Sequence, residues 1–211
     1  MSIESSAAET GLVAILRGVV SERVVDIGNV LYDAGVRSIE VPLNSPDPFA
    51  SIAALASCRR SDWVIGAGTV LNVEDVRRTH EAGGRLIVSP NCNSDVIRRA
   101  LQLAMRVMPG VATATEAFNA VAAGARQLKL FPASTYGPGH LAALRAVLPA
   151  EVGVFPVGGI GGQDIARWLA AGAAGFGFGS ELFRPDYGLA EIAQRANSLV
   201  TALKQARRQF P

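Results

Sequence analysis

Short apolar runs alternate with helix-patterned segments along the whole of this 211-residue chain, and that alternation limits its possible folds more than any single motif does. The runs are LVAILR (12–17), RSIEVPL (37–43), WVIGAG (63–68), RLIVSP (85–90), RVMPG (106–110), QLKLFP (127–132), GVFPVGG (153–159) and AGFGFGS (174–180). Between them, segments such as SERVVDIGNVLYDAG, VEDVRRTHEAGG and GQDIARWLAAGA carry apolar residues at helical spacing and close on a glycine suited to a C-cap. Strands alternating with helices at this period predict a parallel sheet with right-handed crossovers. Eight such units predict an α/β chain folded as a single (β/α)8 TIM barrel, with an open doubly wound sheet as the second choice. The expected domain covers residues 1–211, with 1–10 as a short polar extension and LAEIAQRANSLVTALKQARR (189–208) as the last helix. The pairs Ala34-Gly35, Ala82-Gly83, Ala123-Gly124 and Ala171-Gly172 mark the same helix-to-strand turn in four units and carry no chemistry.

Composition removes several function classes. With 49% hydrophobic residues there is material for one large core, and a formal net charge of +2 is too small to steer a nucleic acid or an anionic membrane. The basic residues are 18 arginines spread along the chain and two lysines, Lys129 and Lys204. Cys58 and Cys92 are too few for a disulfide framework or a zinc site, and two histidines, His80 and His140, preclude a His-rich metal centre. The start of the chain lacks the basic and apolar regions of a secretory signal, and no apolar stretch approaches the roughly 20 residues of a membrane helix. A cytoplasmic protein without nucleic-acid or membrane partners is expected.

Reactive groups of such barrels sit at the C-terminal ends of the strands. In QLKLFP, Leu128 and Leu130 share one face, and Gln127, Lys129 and Phe131 share the other. With the leucines under the outer helices, Lys129 points inward, where burial favours the neutral amine, a nucleophile suited to a carbonyl. The competing reading is a lysine that snorkels to solvent or pairs with a buried carboxylate. In SIEVPL the same alternation turns Glu40 inward, either as a proton shuttle or as an ion-pair partner of Lys129 or Arg17. Arg17 shares the parity of Val13 and Ile15, and it either holds a substrate carboxylate or phosphate or pairs with Glu40.

Glycines form a second constellation. Gly158 and Gly159 follow the seventh run, and Gly179 with Ser180 closes the eighth, where backbone N–H groups of such barrels often hold phosphate. For Gly175 and Gly177 tight packing is the preferred reading. Thr69, ending GAGT, supplies either one more hydroxyl to the site or a helix N-cap.

Taken together, VAILRG, IEVPLNSP, IGAGTVL, LIVSPN, PGVATATEA, LKLFPAS, FPVGGI and FGSELFR resemble the aldolases that cleave 2-dehydro-3-deoxy-6-phosphosugar acids, nearly end to end. The resemblance implies a class I mechanism that needs no cofactor or metal, with Lys129 forming the Schiff base and Glu40 as general acid/base. It places Arg17 and Thr69 on the substrate and the phosphate on Gly158, Gly159, Gly179 and Ser180. It also implies a homotrimer whose ligands are a phosphorylated keto-deoxy sugar acid, pyruvate and glyceraldehyde 3-phosphate. The branch acting on the galactonate-derived epimer is the one resembled. Asn44 stands where the gluconate branch typically carries arginine, and Val157 stands where that branch has threonine. The alternatives are the gluconate-epimer or 4-hydroxy-2-oxoglutarate activity, a phosphosugar isomerase or synthase, and a non-catalytic sugar-phosphate-binding barrel.

Overall fold

The computed structural model describes residues 11–210, so the extension expected over residues 1–10 lies outside the described residues. In chain order the elements are β1 (Leu12–Ile15), α1 (Ser21–Asp33), β2 (Ser38–Pro42), α2 (Pro48–Ser57), β3 (Val64–Gly68), α3 (Val73–Glu81), β4 (Leu86–Val88), α4 (Ser94–Gln102) and β5 (Arg106–Met108). They continue with β6 (Gly110–Val111), α5 (Ala114–Ala122), β7 (Gln127–Leu130), α6 (Ala133–Arg145), β8 (Gly153–Pro156), α7 (Ile165–Ala170), β9 (Phe176–Phe178) and α8 (Leu189–Arg207). Every strand pair is parallel, in a six-stranded sheet ordered β5-β4-β3-β2-β1-β9 and a three-stranded sheet ordered β6-β7-β8. This is an α/β fold of parallel sheets and helices, as the alternation predicts. Among the described residues no helix is long and apolar enough to cross a membrane.

One strand expected from the sequence is two. The run RVMPG breaks at Pro109, which has no N–H to give to a ladder. Before it, β5 pairs with β4, and after it β6 pairs with β7, so the proline carries the chain from one sheet to the other. The Pro109 carbonyl still accepts the Lys129 N–H at 2.9 Å, which keeps the chain in contact with β7 at the break.

The four Ala-Gly pairs form the turns expected of them. Ala34, Ala82, Ala123 and Ala171 are C-caps, and the following glycines adopt φ of 100°, 87°, 106° and 94°. This is the left-handed conformation that ends a helix and that a Cβ disfavours.

Strand residues are buried on both faces, and parity decides which of two clusters they join. The main core cluster includes Ile39, Val41, Leu128 and Leu130 of the strands with Ile27, Leu31, Ile52 and Leu199 of the helices. A smaller cluster of Val13, Val64, Leu86, Val88, Met108 and Phe155 is built from strand residues alone. Every side chain proposed for the chemistry lies on a strand or just beyond its C-terminal end.

Candidate active site

Lys129 emerges from β7 on the face opposite Leu128 and Leu130. Both leucines are fully buried in the core, whereas Lys129 lines a cavity of about 300 Å³. The lysine is only 5% exposed, and its Nζ lies 4.8 Å from the centre of the Phe131 ring. Burial pushes its pKa below the ordinary 10.5; Glu40 opposes that shift and Arg17 adds to it. A buried amine of lowered basicity gives up its proton more readily than an exposed lysine, as a nucleophile must.

Glu40, 1% exposed, lies mid-strand on β2 between Ile15 of β1 and Gly66 of β3. Burial raises its carboxyl pKa from 4.5 to about 7, against the opposing pull of Lys129 and Arg17. Its Oε2 has no hydrogen-bond partner among the described residues, and no ion pair joins it to Lys129 or Arg17. The structure therefore does not form the closed ion pair that the sequence left open. A carboxyl group that is neither neutralised by a contact nor exposed to water is suited to taking and returning a proton.

The seat of this carboxylate is a glycine. A Cβ at Gly68 would overlap Glu40 Oε2, so the last residue of β3 must lack a side chain for Glu40 to hold its place. Gly68→Ala is expected to keep its circular dichroism spectrum and lose about 100-fold in kcat, because displacing a reacting group by about 1 Å has that effect. Full activity in the alanine variant would show that Glu40 has no fixed seat.

Next in sequence, Thr69 has φ 58°, an uncommon conformation for a β-branched residue and one that stores strain. It does not cap α3, since Asn72 does so by accepting the Asp75 N–H at 2.8 Å. Thr69 is therefore not the N-cap that the GAGT–helix pattern suggests. Thr69 is also not among the residues lining the cavity.

Arg17, just beyond β1, is exposed and lines the cavity, with its Nη1 donating to Asn44 Oδ1 at 2.5 Å. Its pairing with Glu40 is replaced by this bond across the ends of β1 and β2. Val157, Gly158, Gly159, Gly179 and Ser180 line the same cavity as Lys129. Gly158 and Gly159 adopt φ of 97° and 69°, which turns the chain sharply at the cavity edge. A Cβ at Gly175 or Gly177 would strike Phe155 or Val157, so these two serve packing, whereas one at Gly179 would meet nothing closer than Ile15 at 4.0 Å. The N–H groups of Gly159, Ile160 and Ser180 donate to no other group among the described residues, which leaves backbone donors for an anion.

Residues 3–196 match the KDPG and KHG aldolase family. The chain belongs to that family. Among these aldolases it is 46% identical over 195 residues to the 2-dehydro-3-deoxy-6-phosphogalactonate aldolase of Escherichia coli K12, covering 92% of this chain and 95% of that one. It is 32% identical over 161 residues to the 2-dehydro-3-deoxy-phosphogluconate aldolase of Treponema pallidum, covering 75% and 76%. The solved "Native KDPGal structure" superposes with a TM-score of 0.92 at 45% identity, over 93% of this chain and 96% of that one.

The aldolase cavity holds residues that sequence reasoning passed over. Ile15 and Phe131 share the parity of Arg17 and Lys129, so the alternation that singled out the charged residues also signalled these. Gln163 and Glu181 follow the two glycine loops directly, but no pattern marked them, because polar residues after glycines are ordinary loop composition. No group of His, Cys, Asp and Glu able to hold a metal ion occurs among the described residues.

Proposed function

We propose that this aldolase cleaves 2-dehydro-3-deoxy-6-phospho-D-galactonate to pyruvate and D-glyceraldehyde 3-phosphate through a Schiff base on Lys129. The observation that carries the reading is a buried lysine of lowered basicity that lines a cavity edged by glycine N–H donors, with the buried carboxylate of Glu40 near enough to act on its charge. The neutral Lys129 amine adds to the C2 ketone, and loss of water gives an iminium. Glu40 as carboxylate takes the proton of the C4 hydroxyl, through a water. The C3–C4 bond breaks, its electron pair moves to C3 and onward to the iminium nitrogen, and the aldehyde leaves. The enamine takes a proton at C3, and water hydrolyses the resulting iminium to pyruvate and free Lys129.

Arg17, held by Asn44, is assigned the substrate carboxylate. Gly158, Gly159, Gly179 and Ser180 are assigned the phosphate, whose remote binding fixes the reacting end. Thr69 keeps a substrate contact through its hydroxyl only if the bound sugar acid reaches beyond the lined cavity toward Gly68.

The galactonate epimer is favoured by the higher identity to the 6-phosphogalactonate enzyme and by Val157, whose methyl groups give a C4 hydroxyl nothing to bond. Val157→Thr is expected to raise kcat/KM for the gluconate epimer relative to the galactonate epimer by about tenfold, since apolar pockets discriminate only modestly. An unchanged ratio would remove Val157 from the specificity argument.

Residues 11–210 are read as one domain whose two sheets are sides of one (β/α)8 barrel. Support comes from the Val157–Gly177 bridge and the Ala174 N–H donated to Val154 at 2.9 Å, which link β8 to β9, and from Pro109 joining β5 to β6. A homotrimer is proposed on the family resemblance, with exposed Leu101, Phe118 and Val147 giving such an assembly apolar surface to bury. A cytoplasmic site fits a phosphorylated sugar acid, which does not cross a bilayer unaided. The deciding experiment offers both epimers separately and follows pyruvate and glyceraldehyde 3-phosphate. Equal amounts of the two products, formed faster from the galactonate epimer, are expected. Preference for the gluconate epimer would move the chain to the other branch.

A further inference from the structure

The glycine loop after β8 is held by a carboxylate that does not line the cavity. Asp164 is 9% exposed, and its Oδ2 accepts the Gly161 N–H at 2.8 Å while its own N–H donates to the Gly161 carbonyl at 3.0 Å. The two residues thus clasp each other through both backbone groups of Gly161. Gln163 Nε2 reaches the same carboxylate oxygen at 3.5 Å, and Arg167 pairs with Oδ1 at 2.6 Å.

Within Gly158–Gly162, four of the five residues are glycine, the residue type with the most backbone freedom to lose. Left unheld, such a loop must be ordered by whatever binds it, and binding is weakened by that entropy. The clasp removes the Gly161 N–H from the donors open to a ligand, and the N–H groups of Gly159, Ile160 and Ser180 are left unspent. A buried carboxylate near an anion site also repels the anion, an effect that Arg167 offsets by pairing with the side of Asp164 turned away from Gly161. A carboxylate in this position is therefore accounted for by what it does to the loop backbone.

We propose that Asp164 is a positioning residue that preorganises the Gly158–Gly161 loop for the substrate phosphate, and so sets the preference for phosphorylated over unphosphorylated keto-deoxy sugar acids without touching either. The proposal rests on reading this loop as the phosphate site. Asp164→Ala, Asp164→Asn and Arg167→Gln test it through three measurements. These are KM for the phosphorylated substrate, competitive inhibition by inorganic phosphate, and the pyruvate concentration that half-saturates borohydride trapping on Lys129.

In Asp164→Ala, KM and the phosphate inhibition constant are expected to rise together by about tenfold, with the pyruvate half-saturation unchanged within about twofold. Asp164→Asn and Arg167→Gln are expected to move the same two quantities by smaller factors. Should Asp164→Ala fail to fold by circular dichroism, these two variants carry the test. An unaltered phosphate inhibition constant would overturn the proposal, and so would a pyruvate half-saturation that weakens in step with it, the signature of a merely structural role. A wild-type enzyme insensitive to phosphate would overturn the reading of the loop itself and the proposal with it.

Discussion

Lys129→Met is expected to fold normally and to lose at least about 10⁴-fold in turnover, because the covalent step has no substitute nucleophile. Lys204, the other lysine, lies on α8 and does not line the cavity that Lys129 lines. Methionine fills nearly the same volume and leaves no buried polar atom, so the core around Leu128 and Leu130 is unaffected. The variant should also be no less stable than wild type at pH 7. Because burial lowers the lysine pKa, the folded state binds fewer protons than the unfolded chain below that chain's ordinary 10.5, so the amine costs stability at neutral pH. Steady-state cleavage and thermal melts check both parts. A stable variant with more than about 1% of wild-type turnover would show that the chemistry does not run through this residue.

Glu40→Gln should show function and stability moving in opposite directions. The amide cannot take the C4 hydroxyl proton, and turnover is expected to fall by about 10²–10⁴-fold. Stability follows from proton binding. With its pKa raised from 4.5 to about 7, the folded protein keeps a proton that the unfolded chain has lost between those pH values. Stability therefore falls as pH rises through this window, and the penalty is complete above pH 7. At about 1.4 kcal/mol for each tenfold change in proton affinity, Glu40 costs the wild type about 3 kcal/mol there. Denaturant unfolding should thus find Glu40→Gln more stable than wild type at pH 8 by up to that amount and equal to it at about pH 4 or below, where both states hold the proton. For the same reason wild-type kcat/KM should fall as pH drops below about 7, where the base becomes protonated. A glutamine variant that is less stable at pH 8 would mean Glu40 is held as a carboxylate by a partner, as in a structural ion pair.

Residues whose role depends on strand parity were legible from the sequence. Lys129 between two leucines, Glu40 between Ile39 and Val41, and Arg17 two positions beyond Ile15 face the way the alternation predicts. The Ala-Gly turns were legible because a left-handed residue after a helix has so few alternatives to glycine. Properties of register between distant strands were not legible. Nothing within WVIGAG says that Gly68 must vacate the space beside Glu40, since that requirement arises only when β2 and β3 are in register. The division at Pro109 was hidden for a related reason. A proline in RVMPG warns of a missing ladder bond, yet which sheet receives the chain afterwards depends on β7. Asp164 reads in sequence as an ordinary acidic residue opening a helix, and only the bond to Gly161 ties it to the loop. Thr69 was misleading in the opposite direction, because the GAGT–helix pattern suggests a cap that Asn72 in fact provides.

The measurement that bears most directly on the central claim is intact-mass spectrometry after incubation with pyruvate and borohydride, followed by peptide mapping. A single added reduced pyruvate is expected, carried on Lys129 and absent from Lys129→Met. A folded protein that gains no adduct, or one that carries it on Lys204, would contradict the Schiff-base assignment.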